Sequence, residues 1–112
     1  MKIQDYKKGA IVVFEVTGRL DSVTSNELEK ELLSHLQGGE KNLLIDFAGL
    51  DYISSAGLRV LLMAAKKAKT AGGRVMLANL VSNVKEVFEI AGFTSIFPIF
   101  NSQDEALSAF DG

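Results

Sequence analysis

Two adjacent hydroxyls, Ser54 and Ser55, are the residues of this chain best placed to do chemistry. They lie in the stretch Gly49-Leu50-Asp51-Tyr52-Ile53-Ser54-Ser55-Ala56-Gly57-Leu58. An apolar run gives way to a helical pattern at that point, so the pair is predicted to open a helix. Unpaired amide donors and the positive end of the helix dipole converge there. One reading is structural: a serine caps the helix, worth about 1 kcal/mol. The other is a phosphorylatable serine, since a phosphate adds roughly −1.5 to −2 charge where a helix terminus best accommodates an anion. Nucleophilic catalysis fits poorly. A serine nucleophile needs a base, and the one histidine, His35, flanks the apolar stripe of a different helix. The loop before Ser54 also lacks Gly-x-Ser-x-Gly, Gly-x-x-x-x-Gly-Lys-Ser/Thr and Gly-x-Gly-x-x-Gly, which removes the hydrolase elbow and the phosphate-cradling loops.

The absence of cysteine excludes a disulfide framework, a thiolate nucleophile and cysteine-ligated zinc. Asp21, Asp46 and Asp51 form a conceivable metal cluster. Asp46 is expected to run along a strand, however, and Asp21 and Asp51 to form turns. No metal ligands and no cofactor are therefore expected. The helix after the serines carries Arg59, Lys66, Lys67 and Lys69 and no acid. Ser55, Arg59, Met63 and Lys66 fall at i, i+4, i+8 and i+11, one stripe of that helix.

Glycines divide the chain into pieces the size of single elements. Ala10–Val16 is rich in β-branched residues and reads as a strand, with Ile3–Tyr6 preceding it across Lys7-Lys8-Gly9 as a hairpin. Val23–Gln37 changes period: Leu28, Leu32 and Leu36 recur every four residues, Thr24-Ser25-Asn26-Glu27 is a candidate capping box, and Gly38-Gly39 permits the stop. Asn42–Phe47 suits a central strand, Ser54–Thr70 a helix, Arg74–Ala78 a strand and Ser82–Ala91 a helix. Ile96–Phe100 reads as an edge strand because it carries Pro98. Ser102-Gln103-Asp104-Glu105 is a second candidate capping box, opening a helix through Phe110. The order β-β-α-β-α-β-α-β-α predicts an α/β fold: a mixed, mostly parallel sheet of about five strands with about four helices packed against it. In such a sheet ligands and partners meet the carboxyl ends of the strands, here Gly18-Arg19-Leu20-Asp21 and the Gly49–Leu58 stretch.

The length, 112 residues, suits one domain spanning the chain. Hydrophobic residues at 47% and charged residues at 23% exclude wholesale disorder. A net charge of −2 gives no general electrostatic reason to bind nucleic acid or an anionic membrane. Apolar runs are too short for a membrane span and the first residues do not form a signal peptide, so a cytoplasmic location is expected.

The chain resembles a STAS domain, specifically the freestanding anti-sigma factor antagonist (anti-anti-sigma factor). The resemblance runs from about Tyr6 to Phe110. It rests on Gly18-Arg19-Leu20-Asp21 followed by Thr24, on Leu43 to Leu62 (LLIDFAGLDYISSAGLRVLL), on Gly72-Gly73-Arg74-Val75 and on the Val84–Gly92 segment. It implies a non-enzymatic, phosphorylation-controlled switch without a cofactor of its own. An anti-sigma factor serine kinase, which binds the ATP, would phosphorylate the serine two before the motif's Gly-Leu, here Ser55. The unphosphorylated form would dock on that kinase and free the sigma factor, and a PP2C-type phosphatase would restore it. Asp21 matches the aspartate that lies beside the phosphorylation loop. The docking surface is accordingly expected at Asp21, Ser54, Ser55, Gly57, Leu58, Arg59 and Met63, on a chain that is a monomer when free. Well-known members carry aspartate immediately before the target serine, where this chain has Ser54. That removes a local negative charge and offers a second acceptor. The alternative is a STAS scaffold of a signalling or transport complex that is never phosphorylated.

Overall fold

A computed structural model describes residues 1–111; Gly112, the last residue of the expected domain, lies outside them. The elements in chain order are β1 (Lys2–Lys8), β2 (Ile11–Leu20), α1 (Thr24–Gln37), β3 (Asn42–Ile53), α2 (Ser55–Thr70), β4 (Arg74–Ala78), α3 (Ser82–Ile90), a 3₁₀ turn (Phe93–Ser95), β5 (Ile99–Phe100) and α4 (Gln103–Asp111). The sheet order is β1-β2-β3-β4-β5. The β1–β2 hairpin is antiparallel and the other pairs are parallel, as the alternation of strands and helices predicts.

Strand alternation divides the apolar residues between two layers. Val12, Phe14 and Val16 of β2, Leu43, Ile45 and Phe47 of β3, and Val75 and Leu77 of β4 point to one face. There they meet Leu28 and Leu32 of α1, Leu58, Leu61, Ala64 and Ala68 of α2, and Val84 and Phe88 of α3. The opposite face, with Val13, Leu44, Met76 and Ala78, is covered by α4 through Ala106, Leu107 and Phe110.

Several boundaries differ from expectation. β2 and β3 do not stop at Val16 and Phe47. They continue to Leu20 and Ile53, with Thr17 opposite Gly49, Gly18 opposite Leu50, Arg19 opposite Tyr52 and Leu20 opposite Ile53. Register irregularities between Glu15 and Thr17 and between Gly18 and Arg19 absorb the uneven lengths. The extension persists because Leu20, Leu50 and Ile53 are all buried in the main core. Two stretches expected as loops are therefore strand ends. β5 is shorter than expected because Ile96 N–H and Phe97 N–H turn back to the Phe93 carbonyl, each at 3.0 Å, although the Pro98 carbonyl already accepts from Leu77 N–H at 3.0 Å.

Both capping boxes change. At α1 the Thr24–Glu27 pair does not form; Asp21 takes the role. At α4 Ser102 Oγ does accept from Glu105 N–H (3.1 Å), but the Glu105 carboxylate reaches past Ser102 to Asn101 N–H (3.2 Å). Asp46 is buried and accepts from Ala48 N–H, Asn79 Nδ2 and Gln103 Nε2 at 2.9, 3.2 and 2.6 Å. Gln103 Nε2 also donates to Glu15 at 2.9 Å, so the first residue of α4 is tied to both neighbouring strands.

Candidate functional site

The extended ends of β2 and β3 bring the two sequence motifs side by side. Ser54 N–H donates to the Leu20 carbonyl at 2.8 Å, carrying the strand pairing to the threshold of α2. Ser54 is the N-cap: its backbone is extended (φ −97°, ψ 173°) and its Oγ accepts from Gly57 N–H at 3.3 Å. Its carbonyl receives Leu58 N–H at 3.1 Å. Ser54 is thus half-buried and committed to starting the helix, whereas Ser55, the first helical residue, is exposed and takes no part in the cap.

Gly57 and Leu58, expected on the docking surface, are buried. A Cβ on Gly57 would stand 2.8 Å from Ile53 Cγ1 and 3.2 Å from Leu20 Cβ, so only glycine lets the first turn of α2 sit down on the strand ends. Leu58 belongs to the main core. Both residues support the loop from behind and leave no side chain for a partner in this conformation. Arg59 is exposed and Met63 half-buried on the flank of α2. With Ser25, Asn26, Glu29, Ala56 and Val60 they line a shallow cavity of about 200 Å³ between α1 and α2.

Asp21 closes the β2–α1 turn. Its Oδ1 accepts from Val23 N–H (3.0 Å), Thr24 N–H (2.9 Å) and the Thr24 hydroxyl (3.1 Å). Thr24 Oγ1 in return accepts Asp21 N–H at 2.9 Å and also donates to the Arg19 carbonyl at 2.6 Å. The Thr24 N–H, then the Thr24 hydroxyl, the Val23 N–H and the charge of Arg19 hold the Asp21 carboxyl below the ordinary aspartate range. A depressed folded value means that the charged form stabilises the fold above the unfolded value, and that this contribution fades as pH falls through the folded one. Asp21→Asn keeps an acceptor oxygen and loses the charge. The variant is expected to unfold at lower urea than wild type at pH 7, and the gap to narrow as the pH is lowered below the ordinary aspartate range. A gap that does not change with pH would remove the charge from this account.

Asp21, Asp46 and Asp51 do not converge on a cation site among the described residues. Asp21 is a turn former, as expected. Asp51 instead falls within β3, where its carbonyl accepts from Asn83 Nδ2 of α3 at 2.8 Å. Sequence reasoning missed the exposed rim of the site. The Arg19 guanidinium lies 4.2 Å from the ring centroid of Tyr52, and Tyr52 and Val23 are exposed apolar residues at 39% and 71%. Their one signal is the Arg19–Tyr52 register, which turn-like composition at both residues conceals.

This arrangement, a helix N-terminus set against paired strand ends on a mixed five-stranded sheet, is that of a known family. Residues 2–106 match the STAS domain, and the chain belongs to the STAS domain family. It is 42% identical over 110 residues to BtrV of Bordetella bronchiseptica, a candidate anti-sigma factor antagonist, covering 98% of this chain and 95% of that one. A candidate anti-sigma factor antagonist of Thermotoga maritima shares the fold at a TM-score of 0.94 with 17% identity, covering 98% and 95% of the two chains. The phosphorylated form of the Bacillus cell-fate determinant SpoIIAA superposes with a TM-score of 0.77 at 19% identity, covering 96% and 98%. The chain is thus homologous to anti-sigma factor antagonists, which are regulatory and not catalytic proteins. No helix among the described residues is long and apolar enough to cross a membrane.

Proposed function

We propose that this protein is an anti-sigma factor antagonist working as a partner switch. When unphosphorylated it docks on an anti-sigma factor serine kinase that carries the ATP, and the sigma factor is released. Phosphorylation of Ser55 ends the docking and a PP2C-type phosphatase restores it. The division of labour between the two serines carries the reading. Ser54 is held by the Leu20 carbonyl and by Gly57 N–H, while Ser55 stands exposed at the first helical position. A phosphoryl group on Ser55 would sit among free amide N–H groups at the positive end of a 16-residue helix, so the fold tolerates it. Aspartate and serine are comparable N-caps, so Ser54 fills structurally the place where well-known members carry aspartate. The docking surface comprises Ser55, Asp21, Arg59 and Met63, with Ser54 at its edge and Arg19, Tyr52 and Val23 on its rim.

The test is site mapping by mass spectrometry after incubation with the cognate kinase and ATP. Wild type and Ser54→Ala are expected to gain one phosphate, on Ser55, and Ser55→Ala none. Ser54→Ala should cost about 1 kcal/mol of stability through the lost cap, measured by urea unfolding. Phosphate on Ser54 alone would reverse the assignment. No phosphate on any variant would favour the scaffold reading.

A further inference from the structure

Asp5, Glu31 and His35 are the one group of three potential metal-ligating side chains that converges among the described residues, their ligand atoms all within 4.8 Å of one another. Glu31 and His35 stand one turn apart on α1, at the i, i+4 spacing that places two side chains on one face. Asp5 faces them from the edge strand β1, beside Ile3, which packs against the same core. His35 is the chain's single histidine, and its ring is set by an edge-on contact with Phe14, centroids 5.2 Å apart and planes at 89°. That contact directs Nε2 toward Asp5 Oδ2, 2.9 Å away. Among the described residues only Lys7–Glu40 and the His35–Asp5 contact bring a basic nitrogen within 4.0 Å of a carboxylate, which leaves the Glu31 carboxylate without one. Beside the trio lies an open cavity of about 350 Å³ lined by Ile3, Glu27, Lys30 and Glu31, room for water to complete a coordination shell.

We propose that Asp5, Glu31 and His35 form a binding site for a divalent transition-metal ion of the zinc class, distinct from the Ser55 surface. One imidazole and two carboxylates suit zinc or cobalt. Calcium and magnesium prefer all-oxygen shells with more ligands. Metal–nitrogen and metal–oxygen bonds of about 2.0–2.2 Å at tetrahedral angles separate two ligand atoms by roughly 3.3 Å. Asp5 and His35 need to part by only a few tenths of an ångström to admit the ion. Binding places the metal on the Nε2 lone pair, and any proton held there is released to solvent. Two carboxylates and a neutral imidazole then balance the charge of a divalent ion. The ion would reinforce the link between β1 and α1 that the Asp5–His35 contact already makes.

The experiment titrates protein free of any oligohistidine tag with cobalt(II) and zinc(II) chloride. It follows the cobalt absorption bands, the heat of zinc binding and the melting temperature. One equivalent should bind, with a visible cobalt spectrum and a melting temperature several degrees higher. His35→Ala and Glu31→Gln should each weaken binding by at least about tenfold, the lower end of what even a supporting residue costs a metal site. Glu86→Gln on α3 should leave it unchanged. Circular dichroism of the metal-free variants checks that they fold. Equal binding by wild type and His35→Ala, or no stoichiometric binding at all, would overturn the proposal.

Discussion

Ser55→Asp is expected to lower affinity for the cognate anti-sigma factor by roughly 10²–10³, while the domain keeps its fold and its melting temperature. The two halves of that result have different physical sources. Inside the domain the new carboxylate occupies the first helical position of α2, whose first turn holds no acid and whose last turn holds Lys67 and Lys69. A negative charge there interacts favourably with the helix dipole, by about 0.3–1 kcal/mol at an exposed position. In the complex the same group must be desolvated against a surface shaped for a hydroxyl. An uncompensated charge in an interface costs on the order of 2–5 kcal/mol, and each 1.4 kcal/mol is a factor of ten in affinity. Asp21, across the paired strand ends, adds like charge. Ser55→Ala should bind as wild type does, since it removes a hydroxyl that makes no capping bond. Titration calorimetry of the three proteins against the kinase, alongside thermal melts of each alone, separates the outcomes. Equal affinities for Ser55→Asp and Ser55→Ala would refute phosphate-blocked docking. A fall in melting temperature matching the fall in affinity would mean that the charge acts by unfolding.

The legible parts of this protein were those where a local pattern and the tertiary environment agree. The four-residue recurrence of Leu28 and Leu32 is the buried stripe of α1, and the apolar run Asn42–Phe47 is the centre of the sheet, buried on both faces. The serine pair at the start of α2 was legible because an N-cap is a property of a few consecutive residues. What could not be read depended on neighbours distant in sequence. Gly18-Arg19 and Asp51-Tyr52 carry turn-like composition, yet each continues a strand because the other lies opposite it. Thr24–Glu27 satisfies the capping-box pattern, yet the aspartate three residues upstream takes the Thr24 N–H that the Glu27 carboxylate would have capped. Asp46 looked directed along its strand, and only the arrival of Asn79 and Gln103, 33 and 57 residues later, gives its carboxylate partners. The inward placement of Gly57 had a signal in principle. A glycine one position before a core leucine, in the first turn of a helix, marks close backbone approach; the strand ends that make the approach close were not predicted.

Gly73→Ala is expected to be the most destabilising glycine substitution in the chain, at about 3 kcal/mol or more, though it adds a single methyl group. Gly73 ends the turn between α2 and β4, and its N–H donates to the Ala68 carbonyl at 2.8 Å. The next residue, Arg74, donates from its backbone to the Lys41 carbonyl at 3.0 Å and opens the β3–β4 pairing at Asn42 opposite Arg74. A Cβ at Gly73 would overlap that same Lys41 carbonyl oxygen and its carbon, which are backbone atoms fixed by the pairing. Nothing at the end of a flexible side chain can give way. Either the α2 turn or the first parallel bridge has to move, and overpacking without relaxation costs about 1–3 kcal/mol and occasionally more. Gly9 provides the comparison. It adopts φ +62° in the β1–β2 turn with open space around its Cβ position. Gly9→Ala therefore incurs only the left-handed backbone penalty, about 1–2 kcal/mol. Urea unfolding should place the midpoints in the order wild type, Gly9→Ala, Gly73→Ala. Equal midpoints for the two variants would show that the Lys41 backbone yields more readily than its hydrogen bonding implies. The effect also bears on the switch, because α2 is anchored at one end by this glycine and presents Ser55 at the other. Its start is held by Leu20, Ser54 and Gly57 independently of Lys41. Gly73→Ala protein that remains folded at low temperature should therefore still be phosphorylated on Ser55, with its defect confined to stability.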